Sequence, residues 1–423
     1  MHPNALLDLT TELLRSVLTF DAPADGLVSL FFRKHRDLGP RERHTLAETT
    51  YTVLRQRLLL NHLAQSGHGP LERRLALLGW QGNEGFLRGA LKPEEQKWLE
   101  GVALVDRSTL PEKLRHNLPD WLANPLREAL GDGPQGGFWP LVQTLNEGAA
   151  LDLRVNLLKG KREEAQQTLL EAGIDALPTP FSPWGLRIQG KPALNKLPIF
   201  IGGGIEVQDE GSQLLALITD PKRGEMVVDF CAGAGGKTLA LGAAMRNTGR
   251  LYAFDISGHR LDALKPRLAR SGLSNVHPAQ ISHERDERIK RLAGKIDRVL
   301  VDAPCSGLGT LRRTPDLKWR QSPKALEELR VKQAAILASA ARLLKPGGRL
   351  VYATCSLLAS ENEAIAEAFT ADNGAQFELL PAEQALAAAH VQRAAELVQG
   401  PYLRLWPHWH GTDGFFAALW VRR

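Results

Sequence analysis

Fifty residues separate Cys305 and Cys355, and each ends a similar stretch. The first is Val299-Leu300-Val301-Asp302-Ala303-Pro304-Cys305-Ser306-Gly307, and the second is Leu350-Val351-Tyr352-Ala353-Thr354-Cys355-Ser356. A β-branched, apolar run followed by small residues reads as a buried parallel strand with a loop at its carboxyl end. Both thiols are therefore expected at one edge of one sheet, the edge where open α/β sheets bind ligands. A thiolate that adds to carbon 6 of a pyrimidine makes carbon 5 nucleophilic enough to take a methyl group from a sulfonium. That reaction needs an attacking cysteine, an acid beside ring nitrogen 3 and a base for the carbon 5 proton. Cys355, Asp302 and Cys305 are chemically suited to these tasks, although the residues alone do not say which thiol attacks. The plainer reading, cysteines as small buried hydrophobes, fits less well with two strand ends flanked by small polar residues.

A second stretch, Val227-Val228-Asp229-Phe230-Cys231-Ala232-Gly233-Ala234-Gly235-Gly236-Lys237-Thr238, is a strand entering a glycine-rich turn that opens a helix. Glycines let backbone approach a ligand, and a helix start offers unpaired N–H groups. A P-loop would need glycine where Cys231 stands, with Asp302 as a magnesium partner. A dinucleotide site would use Gly233, Gly235 and Gly236 with Asp255, but the glycine spacing is compressed and no hydride-transfer site follows. An S-adenosylmethionine site uses the same kind of turn with an acid ending the next strand. Asp255 supplies that acid and would also cap the following helix.

These stretches need a scaffold. From Glu206 onward strands and helices alternate. The strands are expected at Met226–Phe230, Arg250–Ile256, Asn275–Ser282, Ile296–Val301, Arg349–Ala353 and Phe377–Leu380. A long helix over Ser322–Leu344 should stop at Lys345-Pro346-Gly347-Gly348, and Tyr402–Leu405 with Gly414–Val421 reads as a terminal hairpin. The pattern predicts a doubly wound α/β sheet in residues 206–423. Residues 150–205 read as a small α/β insert. Its strands are Leu151–Asn156, which alternates like a half-buried strand, Gly185–Ile188 and Ile199–Ile201, closed by Gly202-Gly203-Gly204. Residues 1–149 show helical periodicity with breaks at Gly39-Pro40, Gly67 to Pro70 and Pro119, and predict an all-α domain. Its basic residues Arg33, Lys34, Arg36, Arg41, Arg43, Arg55 and Arg57 form either a solvated face or a phosphate-contacting one.

At 423 residues the chain is long enough for two or three domains. Three widely spaced cysteines exclude a disulfide framework and a close-paired zinc site. The absence of a long apolar run and of a basic-then-apolar start predicts a cytoplasmic protein without a membrane anchor. A net charge of +6 favours a polyanionic partner.

The ordered motifs carry a family resemblance. Asp302-Ala303-Pro304-Cys305-Ser306-Gly307, Thr354-Cys355-Ser356 and Ser360-Glu361-Asn362-Glu363 resemble the RNA cytosine-5 methyltransferases of the RsmB/NOP family. The likeness continues through Val207 to Gln213, the glycine loop, Leu311-Arg312-Arg313-Thr314-Pro315-Asp316-Leu317-Lys318-Trp319 and Thr412 to Phe416. Arg154-Val155-Asn156 is similar to the start of that family's RNA-binding insert. Leu38 to Arg43 with Tyr51 to Arg55 is similar to a helical domain related to the antitermination factor NusB.

The resemblance implies a Rossmann-like class I methyltransferase fold, with Cys355 as the covalent catalyst and Cys305 as the residue that releases product. It places Cys231, Ala232, Gly233, Ala234, Gly235, Gly236, Lys237, Asp255 and Asp302 around S-adenosylmethionine. It implies an RNA substrate, ribosomal RNA through the helical domain's likeness or transfer RNA; the chain is expected to be a monomer and to hold no metal. Arg154, Asn156, Arg312, Arg313 and Lys318 are candidate RNA contacts, with Trp319 stacking on a base; the alternative for the last group is a solvated loop with one packed tryptophan. Two departures stand out. Ala234 occupies the place where the family's loop usually has proline, and no aspartate follows the third strand, where Gln280 and Ser282 are the nearest polar side chains. Two rivals stay open: an RNA-binding scaffold without catalysis, and an NTPase.

Overall fold

The computed structural model describes residues 1–190 and 192–423. It comprises two compact units: residues 1–148 with 310–323, and residues 149–309 with 324–423.

The first unit is helical. Pro3–Val17, Ala24–Lys34, Pro40–Arg55, Arg57–Ala64 and Leu71–Leu78 lead its series, which runs to Phe138–Leu145. Pro40 at the first helical position follows Gly39, as a helix start favours. Leu7, Leu13, Leu14, Leu46, Val53 and Leu54 are buried at helical spacing and form the centre of its core.

Residues 310–323 were expected in the sheet domain but pack into this helical unit. Trp319 Nε1 donates to Leu54 O at 2.8 Å, Lys318 Nζ donates to Arg55 O at 2.7 Å, and Ala24 N donates to Asp316 Oδ2 at 3.2 Å. Arg57 lies over the Trp319 ring, 5.2 Å from its centroid. Trp319 is thus a packed tryptophan with its indole N–H paired.

In the second unit, β1 (Leu151–Val155), β2 (Ala176–Pro178), β3 (Gly185–Ile188) and β4 (Ile205–Val207) form an antiparallel sheet in the order β2-β3-β1-β4. The insert therefore reaches Val207, past the triple glycine. Two local expectations differ. Ile199–Ile201 belongs to a helical turn, Pro198–Ile201, opened by proline at its first position. β1 is covered on both faces, with Asp152 and Arg154 as buried as Leu153 and Val155. The polar face is covered because Arg187 on β3 grips Asp152 through two hydrogen bonds of 2.7 and 2.9 Å.

The main sheet contains β5 (Met226–Asp229), β6 (Arg250–Asp255), β7 (Val276–Gln280), β8 (Ile296–Asp302), β9 (Leu344–Thr354), β10 (Phe377–Leu380), β11 (Val398–Gln399), β12 (Tyr402–Leu405) and β13 (Phe415–Arg422). Their order is β11-β12-β13-β9-β8-β5-β6-β7, with β10 also paired to β13. The five strands from β7 to β9 are mutually parallel, and β13 is antiparallel to β9, β10 and β12. This is the expected Rossmann-like sheet with its terminal hairpin. The chain runs outward from β5 to β7 and then returns to the other side of β5, which makes the β5/β8 boundary the switch point where such sheets open a crevice.

The long helix ends at Ala341. β9 opens at Leu344, and Ile296↔Leu344 is followed by Arg298↔Arg349, so Lys345–Gly348 loop out of the ladder. Both faces of the sheet are apolar, with Leu214, Ile218, Leu239 and Leu241 on one and Phe230, Phe254, Tyr352 and Trp420 on the other. No described helix is long and apolar enough to cross a membrane.

Lys318 provides a test of the spliced segment. It is 3% exposed, and burial followed by the charge of Arg55 lowers its pKa to about 7. The unfolded chain, where the amine has a pKa of about 10.4, binds more protons than the folded one between these values. Stability should therefore rise as pH goes from about 7 to about 10, and Lys318→Met should flatten that rise. Urea melts of both proteins at the two ends of the window measure the difference.

Candidate active site

The carboxyl ends of β5, β6, β8 and β9 meet at a cavity of about 880 Å³. Cys305 and Cys355 line it, and their Sγ atoms lie 3.4 Å apart. The register of β8 on β9 produces this approach, since Asp302 pairs with Ala353 and Ala303 N donates to Ala353 O at 2.8 Å. Behind the second thiol, Gly309 N donates to Cys355 O at 2.8 Å, and a Cβ on Gly309 would lie 2.1 Å from Gly414 O. Only glycine permits that approach.

The two cysteines differ in surroundings. The hydrogen bond with Cys355 and then burial push the Cys305 thiol well above its ordinary range. Lys237 sits across the cavity floor, its Nζ 2.6 Å from Asp302 Oδ2. Burial works against its ammonium, but Asp302 outweighs this with help from Cys355 and Asp229, so the pKa rises. Asp229 is enclosed at the end of β5. Its Oδ2 accepts from Thr238 Oγ1 at 2.7 Å, and its Oδ1 is buried without a hydrogen-bond partner. Burial pushes its carboxyl up to about 7 against the Thr238 hydrogen bond. Burial also raises the Cys231 thiol well above its usual range.

The glycine loop is held from the side and from behind. Asp255 accepts from Gly233 N at 2.8 Å and from Ser257 N at 2.7 Å, fixing the loop to the end of β6. Gly235 has φ +81° and packs on Leu264, which a Cβ would meet at 2.1 Å. Cys231, Ala232, Gly233, Ala234, Gly236 and Lys237 line the cavity. Arg267 NH1 donates to Ala234 O at 2.6 Å, and Arg154 NH1 donates to Gly236 O at 2.7 Å. Glu206 on β4 accepts from Arg267 at 3.0 Å and from Arg270 at 2.6 Å. The Ala234 turn, which has no proline to stiffen it, is tied by its carbonyl to the Arg267 guanidinium.

Three residues expected to reach RNA are interior. Arg154 is 2% exposed and committed to Gln208 Oε1 and Gly236 O. Burial lowers its pKa to about 10. Asn156 donates to Gly203 O and Ser271 O, each at 2.9 Å, and is also buried. Lys318 is enclosed in the helical unit. The half-buried Arg312 and Arg313 belong to that unit as well, where Arg312 donates to Gly148 O at 2.9 Å.

After the third strand, Ser282, His283 and Glu284 line the cavity, while Gln280 Nε2 donates to Ile256 O at 3.0 Å. Ile256 itself is 66% exposed on the cavity wall. The sequence also gave no role to Glu361. Its signals were the Ser360-Glu361-Asn362-Glu363 motif and the serine that follows each cysteine. Both of those hydroxyls donate to Glu361 Oε2 at 2.5 Å.

A family model described as 16S rRNA methyltransferase RsmB/F matches residues 216–421, and one for an RsmF/B-like ferredoxin-like domain matches residues 118–195. The chain is 32% identical to a probable ribosomal RNA small subunit methyltransferase B of Synechocystis, covering 96% of this chain and 97% of that one. It is 35% identical to the ribosomal RNA small subunit methyltransferase B of Pasteurella multocida, covering 69% and 67%. The structure is similar to a methyltransferase homologue from Pyrococcus horikoshii, with a TM-score of 0.62, 28% identity and coverage of 75% and 100%.

The Asp229 geometry sets a pH dependence. Its raised pKa means that the folded state holds this proton more tightly than the unfolded state. The stability it contributes is complete below about 4 and is lost as pH rises through about 7. Asp229→Asn should remove that loss. Thermal melts between pH 5 and 8 should show the parent falling relative to the variant.

Proposed function

Because the chain belongs to the RsmB/F family of methyltransferases, we propose that it methylates carbon 5 of a cytidine in small-subunit ribosomal RNA, with S-adenosylmethionine as donor. The observation that carries this reading is the pair of thiols 3.4 Å apart on the cavity wall beside Asp302. An acid, two thiols and a cation held this close match the three tasks of covalent pyrimidine chemistry.

The cavity suits the donor. Asp255 and Asp302 present carboxylates to it, which favour a sulfonium and an ammonium group. Ile256 offers an exposed apolar wall to a base, and a Cβ at Gly233 would meet nothing within 4 Å, so backbone and ligand can come close. S-adenosylmethionine supplies the methyl group when bound there.

The remaining chemistry belongs to the chain. Cys355 adds to carbon 6 of a cytosine drawn from the RNA stack, with Lys237 positioned by Asp302 across the floor. The Asp302 carboxyl faces ring nitrogen 3. Once Cys355 is bound to carbon, its thiolate no longer raises Cys305, which then gives its proton to water and stands as a base. Cys305 takes the carbon 5 proton of the methylated ring, and elimination frees Cys355. The helical unit, with Arg33, Lys34 and Arg36 exposed, and the insert position the RNA through phosphate contacts, so binding weakens as salt rises.

Cys355→Ser should reduce methylation by roughly 10³-fold or more and form no adduct, whereas Cys305→Ser should accumulate protein covalently attached to RNA. Denaturing gels of each variant incubated with 16S ribosomal RNA and cofactor test this; trapping by Cys355→Ser would reverse the roles. Bisulfite sequencing of total RNA from cells with and without the gene identifies the cytidine, and a site in transfer RNA would overturn the ribosomal assignment.

A further inference from the structure

Glu361 is fully buried, and its carboxylate joins the two cysteine loops. Ser306 N and Gln333 Nε2 donate to Oε1, each at 2.9 Å, and the hydroxyls of Ser306 and Ser356 both donate to Oε2. The Tyr352 hydroxyl donates to the Glu361 carbonyl at 2.6 Å, anchoring the backbone beneath. Four donors around one carboxylate are what a buried negative charge requires in place of water.

The arrangement is lopsided. On the Cys305 side the carboxylate binds the Ser306 backbone directly and reaches the Pro304 carbonyl through Gln333, whose Nε2 donates there at 3.0 Å. On the Cys355 side its direct link is the Ser356 hydroxyl. Of the cations that line the cavity, Lys237 is the one paired with Asp302, its Nζ 2.6 Å from Oδ2. A negative charge tied to the Cys305 loop favours a proton on that thiol.

We propose that Glu361 is a positioning residue that fastens the two cysteine loops together and assigns the pair's shared proton to Cys305, leaving Cys355 as the thiolate. This rests on the reading of Cys355 as the attacking group and adds the reason why two thiols in contact have unequal roles. The charged and titratable groups around the pair fit it. The neighbouring thiol, burial and Glu361 together raise Cys305, while Lys237 is paired with Asp302 at 2.6 Å.

The test is alkylation of the full chain by iodoacetamide near pH 7.5, with peptide mass spectrometry reporting the rate at each cysteine. In the parent protein Cys355 should react about tenfold faster than Cys305 or more, the factor that one unit of pKa produces. Glu361→Gln keeps the shape but removes the charge and one acceptor oxygen, and it should bring the two rates within about threefold, chiefly by raising that of Cys305. An unchanged ratio, or equal acceleration of both thiols, overturns the proposal.

If Glu361→Gln does not fold, Glu361→Asp carries the test, because its shorter side chain draws the charge back from the Ser306 amide: a narrowed ratio supports the assignment and an unchanged one overturns it. Ser356→Ala tests the fastening. It leaves the charge beside Cys305, so the ratio should hold while kcat falls with KM for S-adenosylmethionine unchanged; an unaltered kcat refutes the fastening. Alkylation is read without RNA or cofactor. A failed ratio therefore leaves the covalent mechanism intact, and loss of the RNA adduct leaves the ratio intact.

Discussion

The parallel register of β8 on β9 is the constraint on which the site depends. Side chains alternate faces along a strand, so a slip of one residue would carry one cysteine loop to a different depth and the apolar residues of the strand to the wrong face. Val299, Leu300 and Val301 against Leu350, Val351 and Tyr352 make such a slip costly, because all six are buried. The chemistry inherits its precision from an apolar core. The same ladder tolerates a four-residue loop at Lys345–Gly348 because that departure lies at the opposite end of the strands, away from the thiols.

Around this frame the chain buries more charge than stability alone would favour. Arg154, Glu206, Asp229 and Glu361 are all within 6% of complete burial. Ion pairs in protein interiors return little net stability, since desolvation offsets most of their attraction. Their value here is directional. Arg154 and Arg267 grip two carbonyls of the glycine loop, and Arg267 is itself held by Glu206 on β4, so the insert sheet and the loop are parts of one hydrogen-bonded network.

Much of this was legible in the chain. Strand and helix alternation, the glycine loop and the paired cysteine motifs follow from short, local patterns, and the sheet is doubly wound with a terminal hairpin as they predict. What escaped depends on partners far away in sequence. Arg154 and Asn156 look like surface contacts until Gln208, Gly236 and Ser271 are seen to receive them. β1 reads as half-exposed because its alternation cannot reveal that Arg187 closes over the polar face. Lys318 and Trp319 follow Cys305 closely in sequence, which points to the active site, yet they reach carbonyls more than 260 residues upstream. Glu361 stands in a visible motif, but nothing local shows that two serines fifty residues apart converge on it.

The splicing of residues 310–323 into the helical unit has a consequence for biosynthesis. A chain emerging from the ribosome releases its first 148 residues long before the piece that supplies Trp319 and Asp316. Until then the carbonyls of Leu54 and Arg55 lack their final donors, and the aromatic surface that Arg57 covers is missing. Domains made first usually fold first. This one can collapse early but reaches its finished form only when the following unit is more than half made, so the two units mature together.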